Sequence, residues 1–247
     1  MFRDIFKTAG PLAALFVLSA CDANLSIDGG NGVPLSELDL SGTAPAEVVL
    51  AGPDIVNISE GEFDIRVDGD REAIEGMRFT LEDGALSVMR KDGNWIGDDG
   101  TATVSITMPA PERLTLAGSG NMTSEGLGGK AEVTIAGSGK LETPGVDADS
   151  LEVTIAGSGS YLAAGRTASL ELSVLGSGSA EMDGLMAGNA EVNIAGSGEA
   201  SFASNGEVEA NIMGSGDVTV RGSARCTVNS MGSGNLTCER AATAAAD

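Results

Sequence analysis

Histidine is absent from this 247-residue chain, which excludes Ser-His-Asp and Cys-His nucleophile systems and the usual histidine zinc sites. Large aromatics are scarce, with one Trp, one Tyr and six Phe. Paired-carboxylate sites that cleave polysaccharides usually sit beside such rings, so little here supports one. Positive charge is also sparse: 14 Lys and Arg stand against 36 Asp and Glu, a net charge of −22. A surface this acidic repels phosphate backbones and anionic head groups, which makes nucleic acid a poor partner and leaves divalent cations or basic surfaces as electrostatic ones. No apolar run is long enough to cross a bilayer core.

The apolar run that does occur, Leu12 to Leu18, follows Arg3 and Lys7 and precedes Ser19, Ala20 and Cys21. This layout reads as a removable export signal over residues 1–20. Leu18-Ser19-Ala20-Cys21 closely resembles the bacterial lipoprotein processing box. The resemblance implies cleavage before Cys21 and its acylation, an anchor that needs no transmembrane helix. An ordinary secretory signal with an incidental cysteine is the alternative. Loss of residues 1–20 removes two basic and one acidic side chain, moving the net charge from −22 to −23. Asp22 resembles an inner-membrane retention signal of enterobacterial lipoproteins, a rule that varies between bacterial groups, so both membranes stay open. Residues 21–45, with Gly29, Gly30, Asn31, Gly32 and Pro34, read as a flexible tether.

With Cys21 acylated, Cys226 and Cys238 remain of the three cysteines. Each lies six residues from Gly232, and export to an oxidising compartment permits a disulfide between them. Closing a loop of about a dozen residues contributes about 3 kcal/mol. Two buried free thiols are the alternative.

What the chain has in abundance is Gly-Ser-Gly, beginning at residues 118, 137, 157, 176, 196, 214 and 232. A period averaging 19 residues, carried by strand-like segments, marks a solenoid whose coils share one core. Before each motif the residues alternate. One parity gives Ala131, Val133, Ile135 and their counterparts up to Val208, Ala210, Ile212; the other gives Glu132, Glu152, Glu171, Glu191 and Glu209, followed by Thr134, Thr154, Ser173, Asn193 and Asn211. Alternation of this kind is a half-buried strand, with the apolar parity inward. A second glycine recurs at 126, 145, 165, 184 and 222, which predicts at least two strands and two fixed corners per coil. Hairpin meanders share such a period but alternate turn types, so a parallel β-helix is the expected fold.

Residues 46–110 are strand-like without the motif and read as an atypical capping part ahead of the regular repeats at 111–240. Val48 to Asp54 looks like a divergent first coil, and Arg71 to Met77 a short helix. Terminal repeats are atypical because they must cover an open sheet edge. Residues 241–247 read as a disordered tail.

Gly52-Pro53-Asp54-Ile55-Val56-Asn57-Ile58, followed by strands and then serial Gly-Ser-Gly turns, resembles the GIN domain. That family is described as the head domain of auto-transporter adhesins and is common in exported bacterial lipoproteins. The resemblance covers about residues 45–240. It implies a β-helix and suggests adhesion, and it brings no catalytic residues.

Five glutamates, Glu132, Glu152, Glu171, Glu191 and Glu209, form the sharpest constellation. In a parallel stack equivalent residues lie about 4.8 Å apart, and carboxylates at that spacing repel unless a cation such as Ca²⁺ joins them. A solvated acidic face is the plainer reading. Asn193, Asn211 and Asn229 read as a hydrogen-bonded stack, and the serines from Ser119 to Ser233 as turn chemistry, since no base accompanies them. Asp92 to Gly100 fails the EF-hand pattern at Ile96 and Thr103. It reads as a hairpin loop with Trp95 at its tip, a candidate contact for glycan or protein. Three functions compete: an exported, lipid-anchored binding or structural module of the cell envelope, a carbohydrate-active β-helix enzyme, and a regulatory lipoprotein acting through an envelope protein. Scarce aromatics and scattered basic residues favour a non-enzymatic module, without a required cofactor.

Overall fold

The computed structural model describes residues 32–91 and 100–240. Cys21, Trp95 with most of its loop, residues 21–31 of the expected tether and the 241–247 tail therefore lie outside the described residues; the rest of that tether is ordered, with Leu35, Leu38 and Leu40 packed against the core. In chain order the strands are β1 (Glu47–Ala51), β2 (Ile55–Glu60), β3 (Asp64–Gly69), β4 (Met77–Glu82), β5 (Ala85–Arg90), β6 (Ala102–Met108), β7 (Arg113–Gly118), β8 (Asn121–Ser124), β9 (Leu127–Gly137), β10 (Lys140–Gly157), β11 (Ser160–Gly176), β12 (Ser179–Gly196), β13 (Glu199–Ser204), β14 (Glu207–Gly214), β15 (Asp217–Gly222), β16 (Arg225–Gly232) and β17 (Asn235–Arg240). A short helix, α1 (Arg71–Gly76), falls where the sequence predicts one.

Pairing is parallel from one coil to the next, the expected β-helix. On the first face the stacking order is β5, β1, β7, then the later halves of β9 to β12, then β14 and β16. The second face runs β6, β2, β8, the first residues of β10 to β12, then β13, β15 and β17. The divergent coil β1–β2 is thus an inner rung, with β5 and β6 stacked outside it. The cap is antiparallel: β4 pairs with β5 and β3 with β6, and Val33 bridges to Phe79 on β4. Sequence order gives no hint of this, because the chain lays down an inner rung before the ones that cover it.

The apolar parity fills the interior as expected. Leu86, Val48, Leu114, Val133, Val153, Leu172, Val192 and Ala210 make one continuous buried column. The Gly-Ser-Gly corner needs both glycines. Gly137 has φ +127°, and a Cβ there would sit 2.3 Å from the carbonyl oxygen of Gly118 in the preceding rung; a Cβ on Gly139 would sit 2.5 Å from that of Gly120. The serine between them faces solvent and costs nothing.

The second expected corner takes a different form. β10, β11 and β12 run unbroken through Gly145, Gly165 and Gly184, and register shifts at Thr143/Val146, Leu162/Ala164 and Met182/Met186 bend them there. Bulges turn a strand without ending its pairing, and β10 shifts register again against β9 between Ala148 and Ser150, so a coil has one sharp turn and more than one bend.

Candidate functional site

The outer surface of the first face carries three parallel columns, because period-two alternation repeats the same outward residues in every rung. In the first, Glu132, Glu152, Glu171, Glu191 and Glu209 stand in direct register. Glu132 is half-buried and the other four are exposed. Arg113 occupies the next position toward the capped end and bonds Glu47 in the following rung, Nε to Oε2 at 2.9 Å. At the other end Thr227 follows Glu209, and no acid continues the column. Among the described residues, no group of three or more Asp, Glu or Cys side chains is placed to hold a metal ion. The stacking expected of the glutamates is present.

Beside it runs the amide column. Asn211 Nδ2 donates to Asn193 Oδ1 and Asn229 Nδ2 to Asn211 Oδ1, each at 3.0 Å, the hydrogen-bonded stack read from the sequence. Cross-links to the acids are made by Asn193 to Glu191 at 3.2 Å and Asn229 to Glu209 at 3.3 Å. A third column, which the sequence reading passed over, is apolar: Ala136, Ala156, Leu175, Ala195, Met213 and Met231. Leu175, Met213 and Met231 are 52%, 59% and 77% exposed. The signal was available in the residue just before each Gly-Ser-Gly, which is apolar on the outward parity.

A shallow groove crosses these rungs, lined among others by Glu171, Glu191, Glu207 and Glu209, with Asn189 and Arg225. Arg225 pairs with Glu207 at 3.3 Å, and Asn189 accepts the Glu207 backbone N–H at 3.0 Å. Such a face offers carboxylates and amides to a basic or hydrogen-bonding partner. A second depression carries the Asp147–Arg166 pair, bidentate at 2.8 and 3.0 Å. The hydrogen bond from Arg166, and then its charge, hold the Asp147 carboxyl below its usual range.

Two buried polar pairs sit elsewhere. Asp54, at the third position of the divergent turn where the other turns have glycine, is fully buried and takes a bidentate contact from Arg90, with Nε to Oδ2 at 2.7 Å. Asp54 Oδ1 also accepts the N–H of Ala102, and Arg90 Nη2 donates to the carbonyl of Gly100. The pair thereby ties down the described edges of the Trp95 loop. Inside the stack, Tyr161 bonds Thr143 at 2.6 Å. Burial drives the Tyr161 hydroxyl well above the usual tyrosine range, only partly offset by that bond.

Cys226 and Cys238 form the expected disulfide between β16 and β17, with Cα atoms 6.7 Å apart.

Residues 44–224 match the model of the family described as "Putative auto-transporter adhesin, head GIN domain". The chain belongs to the GIN domain family. No curated protein matches it significantly. Among solved structures, a "putative adhesin" from Bacteroides fragilis shares this GIN fold at 17% identity and TM-score 0.74, over 79% of this chain and 93% of that one. A "putative adhesin" from Parabacteroides merdae (17%, TM-score 0.62, 80% and 92%) and a "putative lipid binding protein" from Parabacteroides distasonis (22%, TM-score 0.60, 79% and 93%) share it too. The GIN match stops just before β16 and β17, so the disulfide-bonded rung stands beyond it.

Proposed function

We propose that this GIN domain is a lipid-anchored, non-enzymatic binding module of the bacterial cell envelope, adhesive in character. The observation that carries this reading is where the chain enters the fold. Val33 exchanges two backbone hydrogen bonds with Phe79 on β4, at the capped end of the stack, 2.9 and 2.8 Å long. A lipid on Cys21 would hold that end near a membrane and direct the columns and the far rung outward. The adhesin descriptions of the family and of two structural neighbours agree with such a presentation, and the acidic and amide columns suit a basic envelope protein or a glycan.

Anchoring is tested by phase partition of cell extracts into detergent. Wild type is expected in the detergent phase and Cys21→Ser in the aqueous phase; a Cys21→Ser protein that stays in detergent would overturn the anchor. Binding is tested by screening the chain from Asp22 onward against glycans and envelope proteins. A hit weakened by Glu→Gln changes at Glu171 and Glu191 is expected, and binding indifferent to those changes would remove the columns from the reading.

A further inference from the structure

The two ends of the stack differ in a way that the binding-module reading does not require. At the last rung the inner column is no longer covered: Val228 is 46% exposed, while Val192 and Ala210 in the same column are fully buried. The outer edges of β16 and β17 pair with nothing among the described residues, and such edges invite another strand. Charge changes here as well. Residues 207–222 hold three acids and one arginine, whereas 225–240 hold two arginines and one glutamate. Along the glutamate column a second acidic chain would be repelled. Here the glutamate column has given way to Thr227.

We infer that the rung of β16 and β17 is a self-association surface, closing against the same rung of a second copy. A twofold arrangement pairs β16 antiparallel with its copy and keeps inward residues on inward ones, setting Val228 against the partner's Val228 and Thr227 opposite the partner's Asn229. Asn229 spends its amide hydrogens on Asn211 and Glu209, which leaves its carboxamide oxygen to accept from a hydroxyl across the interface. The disulfide stiffens the rung before it meets its partner, which lowers the ordering cost of association. Because a twofold pairing uses the same rung on both chains, association stops at two chains instead of running on as a fibre.

Sedimentation velocity on the chain from Asp22 onward, which keeps every described residue, tests this as concentration is raised. Twice the monomer mass is expected. Thr227→Glu extends the acidic column into the exposed rung without touching the core, and should weaken dimerisation by about tenfold or more. Thr227→Glu mixed with Thr227→Lys should restore it, since the two side chains lie on a diagonal about 7–8 Å apart in this pairing. A wild type that stays monomeric at the highest concentration, or a Thr227→Glu dimer as tight as wild type, overturns the proposal. Neither outcome bears on the Cys21 anchor, which the detergent partition reads separately.

Discussion

At one end of the stack, β3, α1 and β4 lie over the outermost parallel strands, and Asp54 and Arg90 bury a charge pair among them. At the other, β16 and β17 finish in edges that pair with nothing among the described residues and are held by one disulfide. The first end is closed by folding extra chain across it, the second only braced. Closure of the first kind consumes sequence outside the repeat and buries polar groups that must be matched in full. Bracing needs two cysteines and leaves the edge available.

The largest way to break this comparison is Asp54→Ala. It strips the bidentate partner from a guanidinium that is only 6% exposed, and a loss of about 3–5 kcal/mol is expected. Denaturant unfolding measures it; a loss under about 1 kcal/mol would mean that the other contacts of Arg90 carry this end. Next comes Cys226→Ser with Cys238→Ser, expected to cost about 2–3 kcal/mol of local stability. Hydrogen exchange should speed up in β16 and β17 while β9 to β12 stay protected, and equal loss at β3 and β4 would show that the ends are coupled.

The smallest change sharpens the contrast by probing the body between the ends. Tyr161→Phe leaves the Thr143 hydroxyl without its bond, at about 1–2 kcal/mol. It also removes a pH dependence whose sign follows from burial. The folded-state value of Tyr161 is raised above the ordinary 10.0, so its contribution is complete below about pH 10 and is lost as pH climbs beyond it. Wild-type stability should therefore fall in strong alkali, and less so in Tyr161→Phe; identical alkaline profiles would show that this phenol does not control the transition.

The body was legible in the sequence because a repeat writes each column many times over. Glu132 to Glu209 and Asn193 to Asn229 could be aligned without coordinates, and the even spacing of Cys226 and Cys238 about Gly232 pointed to the bridge. The cap was not legible. Asp54 and Arg90 are 36 residues apart in unrepeated sequence, and nothing local announces that β5 stacks outside β1. The outward apolar column was missed for another reason: outward parity was equated with polarity, whereas Leu175, Met213 and Met231 sit on that side. Arg113 likewise ends the acidic column through register alone, outside any repeated pattern.

The register shifts beside Gly145, Gly165 and Gly184 separate coil length from column geometry. Successive Gly-Ser-Gly motifs lie 18, 19 or 20 residues apart, yet Glu152, Glu171 and Glu191 face one another without offset. The bulged bend absorbs the difference, working as an expansion joint. One residue gained or lost at that bend leaves every inscribed column intact, whereas the same change in the strand before Gly-Ser-Gly would turn its side chains inside out. Such a scaffold can vary its profile at one corner while the pattern on its working face stays fixed.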